Sequence, residues 1–141
     1  MSDITYVVGT ISKEDPVLKY IPSGKAVCNF TVRVPGQKAN PKYGREARES
    51  YFLEVAAWEQ LGENVAESFR KGDRVILQGL PSEREYTTKS GEHRVVQTFT
   101  AWDAALSVMY NTAEAIVTEK DYGGSSQDAE KKGAEDSFAP F

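Results

Sequence analysis

Cysteine and histidine are nearly missing from this 141-residue chain: each occurs once, as Cys28 and His93. A single cysteine cannot form a disulfide within the chain. One residue of each type cannot build a zinc cage either. Long apolar runs are also missing. No stretch approaches the roughly 20 residues of a membrane-spanning helix. The opening MSDITYVVG has neither a basic region nor a cleavable apolar segment. A cytoplasmic protein without membrane contact is the expectation. The chain also lacks a Gly-rich phosphate loop and a nucleophile motif. Its Asp and Glu pairs have no recognisable catalytic setting. The reading is therefore a non-enzyme with no cofactor and no metal.

A basic excess is missing as well, since the net charge is −4. Taken alone, that argues against a nucleic-acid partner. The distribution changes the argument. Through Tyr110 the chain carries 14 basic and 14 acidic residues, so the acidic excess belongs entirely to the residues after Tyr110. The preceding part is neutral and can carry local basic strips.

What is present reads as a series of strands. Ile4 to Ile11 alternates as a first strand. Asp15-Pro16 and Pro22-Ser23-Gly24 then read as turns. AVCNFTVRV is a second strand. Its alternation puts Ala26, Cys28, Phe30, Val32 and Val34 in the core and Val27, Asn29, Thr31 and Arg33 on a wetter face. Cys28 is thus a small core residue. A charged loop, Pro35 to Ser50, leads to a third strand, YFLEVAAW. A short helix comes next, with Leu61, Val65 and Phe69 at helical spacing and Gly72 as its stop signal. Arg74 to Leu80 is a fourth strand. A hairpin turning near Ser90-Gly91 runs into a fifth. Runs of strands exclude a parallel α/β sheet. One helix between strands three and four is the layout of an all-β OB-fold, a five-stranded Greek-key barrel. Residues 1–111 form the expected domain, 112–134 a disordered acidic linker, and 135–141 a separate tip.

The third strand is the most informative stretch. Tyr51, Leu53, Val55 and Ala57 share one face; Phe52, Glu54, Ala56 and Trp58 share the other. An unpaired buried carboxylate costs several kcal/mol, so Glu54 places its face toward water. Phe52 and Trp58 are then two outward rings roughly 20 Å apart at strand rise. That suits platforms for successive bases of a single nucleic-acid strand, each worth about 1–3 kcal/mol. The alternative for Trp58, which precedes the helix, is a cap on the barrel. Tyr86 sits among polar residues of the hairpin and is a third platform. Arg33, Arg84, Lys89 and Arg94 each read more readily as a solvated surface charge when taken alone; it is their interleaving with the aromatics that points to nucleic acid. Trp102 fits either a core position or a subunit contact. Stacking chemistry does not separate DNA from RNA. An OB-fold binder of RNA or of a replication-priming protein complex stays open, and an enzyme is the remaining alternative.

Three stretches carry a family resemblance: VVGTISKEDPVLKYIPSGKAVCNFTV, YFLEVAAWEQLGENVAESFRKGDRVILQG and the terminal PF. In these the chain resembles bacterial-type single-stranded DNA-binding proteins, from bacteria or their phages. The resemblance implies an OB-fold that assembles as a homotetramer. It also implies tight, largely sequence-independent and often cooperative binding during replication, recombination and repair, in the cytoplasm at the nucleoid. It places the stacking aromatics on Phe52, Trp58 and Tyr86, and the phosphate contacts most directly on Arg33 and Arg84. A family tryptophan in the loop after strand two has no aromatic equivalent near Gln37 to Ala39, and Tyr43 is the residue expected to take its place as a DNA contact. The chain departs from the pattern in LPSEREY, where Pro81, Glu83 and Glu85 replace polar or basic residues and put the edge of the fourth strand in question.

The segment DYGGSSQDAEKKGAEDS is too polar to fold alone, yet it leads to FAPF. The resemblance makes this end a docking peptide for replication, recombination and repair proteins. Phe141 and its carboxylate would enter a basic-rimmed apolar pocket, with Pro140 lowering the ordering cost. Asp136 adds charge and Phe138 a second anchor.

Overall fold

A computed structural model describes residues 3–117. Five strands and one helix are arranged in the order β1 (Thr5–Tyr20), β2 (Ala26–Val34), β3 (Tyr51–Trp58), α1 (Glu59–Ser68), β4 (Arg74–Thr87) and β5 (His93–Leu106). They close into a barrel in the order β1-β2-β3-β5-β4, with β4 returning to β1. Every neighbouring pair is antiparallel except β3 with β5. This is the OB-fold architecture that the element order implies. By its contacts the chain divides into Met1–Asn111 and Thr112–Phe141. Residues 112–117 of the second unit carry no helix or strand.

Alternation fills the barrel. Cys28, Phe30 and Val32 of β2, Leu53 and Val55 of β3, Val75 and Leu77 of β4, and Phe99 of β5 point inward and are buried. Each such side chain contributes roughly 1.5–3 kcal/mol by leaving water. The helix packs against β1, β2, β3 and β5. Gly62 permits that approach: a side chain there would run into the Ala57 carbonyl and the Cys28 backbone nitrogen. Val65 and Phe69 face the core. The Phe69 ring meets Phe30 edge-on, with centroids 6.1 Å apart.

Several local expectations are corrected. The helix ends at Ser68, and Phe69 is an extended capping residue, not a further helical position. Gly72 does not stop the helix. It sits at φ 96° in the turn beyond it, where its N–H donates to the Ile11 carbonyl. β1 runs past Ile11 and through Asp15-Pro16, because its ladder to β2 breaks between Ser12 and Val17 and resumes beyond. Such a bulge tolerates a proline that a regular ladder would reject. β4 likewise continues through Pro81. Its ladder with β1 ends at Gly79, so at Pro81 it pairs only with β5 and has one open edge, the kind of place in a sheet that accepts proline. Val27, assigned to the wetter face, is buried, because the register sets it opposite the large Trp58 side chain. Trp102 is not core. The β4–β5 ladder pairs Gln78 with Asp103 and Gly79 with Ala101, so Trp102 is the extra residue of a bulge and is 51% exposed.

Candidate nucleic-acid interface

Directly opposed residues of a ladder point to the same side of the sheet. The register therefore defines the outer face of the barrel row by row. Arg33 lies between Thr10 and Phe52. Thr31 lies between Ser12 and Glu54, and Glu54 continues to Thr98 and Ser82. Asn29 lies between Val17 and Ala56, and that row continues to Thr100 and Leu80. Val27 lies between Lys19 and Trp58.

Phe52 and Trp58 thus stand on one face of β3 with Glu54 and Ala56 between them. They are 49% and 40% exposed. The hairpin of β4 and β5 brings Arg84, Tyr86 and Arg94. Arg84 lies opposite Val96, Tyr86 lies opposite Arg94, and all but Val96 are exposed. The Arg84 guanidinium lies 5.9 Å from the Tyr86 ring centroid. Lys89 sits at the exposed hairpin tip, in the turn shaped by Gly91 at φ 93°. Tyr43 stands apart, exposed in the short 3-10 turn Pro41–Tyr43 of the arm between β2 and β3. That arm is held by its own polar groups: Arg45 donates to the Gln37 side chain, and Arg48 donates to the Pro35 carbonyl. Asp136, Phe138, Pro140 and Phe141 lie outside the described residues.

On the same face an open groove of about 470 Å³ lies over Glu54 and Ala56, between Phe52 and Trp58 along β3. It is lined by Glu14, Val17 and Lys19 of β1, Asn29 and Thr31 of β2, Glu54 and Ala56 of β3, Arg84 of β4, and Thr98 and Thr100 of β5. All five strands contribute. Arg84 spans the groove and donates to the Glu54 carboxylate at 2.7 Å, with both side chains about half exposed. At that exposure the pair contributes little stability. Its meaning is local: the arginine that would meet a phosphate already holds an anion. Arg94 is similarly engaged with Glu92 at 2.6 Å. Among the described residues no cluster of His, Cys, Asp and Glu is arranged to hold a metal ion.

Two basic residues escaped the sequence reading. Lys13 adopts φ 75° in the β1 bulge, a left-handed conformation rare for a long side chain. Its ammonium lies 4.9 Å from the Phe52 ring centroid, within cation–π range. Lys19 lines the groove two strands away from Trp58. Both fall in a stretch that reads as turns, so no alternation in the sequence marks them as facing the rings.

The chain matches the profile of the single-strand binding protein family over residues 4–106. The single-stranded DNA-binding protein of Corynebacterium glutamicum is 40% identical over 121 residues, spanning 85% of this chain and 52% of that one. That of Paenarthrobacter aurescens is 36% identical over 120 residues, spanning 81% and 67%. That of Mycobacterium tuberculosis is 37% identical over 109 residues, spanning 77% and 66%. The chain covers between about half and two thirds of the length of these relatives. Among solved structures, the small single-stranded DNA-binding protein of Streptomyces coelicolor superposes with a TM-score of 0.63 at 21% identity, covering 76% of this chain and 95% of that one. That likeness concerns the fold. With the profile spanning the whole barrel and relatives this similar, the chain belongs to the single-strand binding protein family.

Proposed function

We propose that this protein binds single-stranded DNA along the groove face of its barrel. Bases stack on Phe52, Trp58 and Tyr86, and phosphates meet Arg33, Arg84 and the neighbouring basic groups. One observation carries the reading: three exposed aromatic rings share a sheet face with arginines, and an open groove lies on that face over Glu54 and Ala56, the residues between Phe52 and Trp58. Stacking accepts any base, so affinity arises with little regard to sequence. Duplex DNA keeps its bases stacked inside and offers none to these rings.

The same reading assigns the protein to the protection of exposed strands during replication, recombination and repair in the bacterial cytoplasm. Its terminal residues Asp136, Phe138, Pro140 and Phe141 recruit the proteins acting there. It also implies assembly into a homotetramer. The outer face of β1 and β4 supports that part: Tyr6 and Ile76 are exposed on it, and large exposed apolar groups commonly mark contact surfaces.

The test is fluorescence titration of the full chain with oligo-dT, matched RNA and duplex DNA, alongside its mass in solution. A Trp102→Phe variant removes the background of the other tryptophan. Quenching of Trp58 by single strands and not by duplex is the expected result. A protein that binds duplex equally well, or binds no single strand, overturns the reading.

A further inference from the structure

Stacking and phosphate contacts need no hydrogen-bonding groups beneath the bases, yet several polar side chains stand among the apolar groups that line the groove. Asn29, Thr31, Glu54, Arg84, Thr98 and Thr100 all line it. Glu54 holds the central place. It sits on the same face of β3 as both stacking rings, two residues beyond Phe52 and four before Trp58. The small Ala56 side chain follows it on the same face and also lines the groove. One carboxylate oxygen, Oε1, accepts from Arg84 at 2.7 Å. That bond orients the carboxylate across the groove. Among the described residues, Oε2 accepts no hydrogen bond from the protein.

We infer that Glu54, braced by Arg84, biases this groove toward bases that present an exocyclic amino group. The inference rests on the proposed binding of single-stranded DNA. A base stacked on Phe52 turns its edge along the sheet surface, toward the neighbouring side chains. A carboxylate only accepts hydrogen bonds. Cytosine presents its N4 amino donor, which pairs favourably with a carboxylate. Uracil and thymine present a carbonyl oxygen at the same place, where two acceptors repel, and their one edge donor, N3–H, is flanked by two carbonyls that disfavour a carboxylate. Glu54 is therefore a specificity-determining residue superimposed on a groove whose affinity comes from stacking.

Oligo-dC and oligo-dU compare the two edges cleanly, because neither ring carries the thymine methyl group. Both are titrated at pH 8, where cytosine is neutral, against the full chain and its Glu54→Gln variant. Glutamine keeps the size of the side chain, and its amide can turn to suit either edge. The readout is the dC:dU affinity ratio of the wild type divided by that of the variant. A net hydrogen bond at a half-exposed site makes this quotient about threefold in favour of wild type. A quotient of one overturns the inference. That holds even if Glu54→Gln tightens both oligonucleotides equally, which would make Glu54 a nonspecific repulsive charge. A quotient below one overturns it as well. If neither oligonucleotide binds either protein, the proposed function fails and the inference fails with it. Equal melting temperatures of the two proteins confirm that the comparison reads the groove and not the fold.

Discussion

Replacing Phe52 with alanine separates a ring used for binding from a ring used for folding. Phe52 and Phe99 are the same residue type in adjacent parts of one sheet, since Phe52 lies on β3 and Phe99 on β5 beside it. Phe99 is 2% exposed and Phe52 is 49% exposed. Truncating a buried phenylalanine costs about 3–5 kcal/mol, because transfer and cavity terms add. At Phe52 half the transfer term is already forfeited to water, and no closed cavity forms. The loss there is about 1 kcal/mol, a few degrees of melting temperature for a domain of this size. Binding should respond in the opposite order. A lost stacking platform costs about 1–3 kcal/mol, or roughly 5- to 150-fold in affinity. Fluorescence anisotropy with short oligo-dT and thermal melting by circular dichroism measure both quantities on each variant. A Phe52→Ala protein that melts as early as Phe99→Ala would show that the ring supports the fold. One that binds within about twofold of wild type would remove Phe52 from the interface.

Arg84→Gln should flatten the dependence of log affinity on log salt by about 0.7, the contribution of one phosphate contact on a single strand. It also leaves Glu54 unpaired in the groove; an unchanged slope would mean that Arg84 serves only that carboxylate. The Cys28 thiol, buried among apolar neighbours, is pushed from 9.0 up to about 11. The unfolded chain therefore loses this proton first as pH rises, and folding stability contributed by the protonated thiol declines between about pH 9 and 11. Urea midpoints at pH 8 and 10.5 should fall further for wild type than for Cys28→Ala. Equal declines in the two proteins would refute the shift.

The strand YFLEVAAW was legible to the residue, with its inward and outward faces, because period-two alternation and a single carboxylate suffice to orient it. The order of elements around one helix was enough for the barrel. The bulges were not legible. Nothing in a local pattern reveals that β1 continues through Pro16 after an irregular pairing, or that β5 carries one residue more than β4 can match at Trp102. A register is a relation between two strands, and it appears only once both are in place. Lys13 and Lys19 were missed for the same reason. Val27 was misassigned because its cover comes from Trp58, a residue distant in sequence.

By itself the sequence determined which residues seek the interior, where the helix interrupts the strands, and that an acidic excess lies in the last part of the chain. Those are consequences of local hydropathy and charge, which each segment carries wherever it goes. Only the tertiary structure decided that Arg84 meets Glu54 across the groove, that Lys13 lies over Phe52, and that residues of all five strands share one face. Such neighbours come from barrel closure and strand register, which bring together side chains that no sequence window contains.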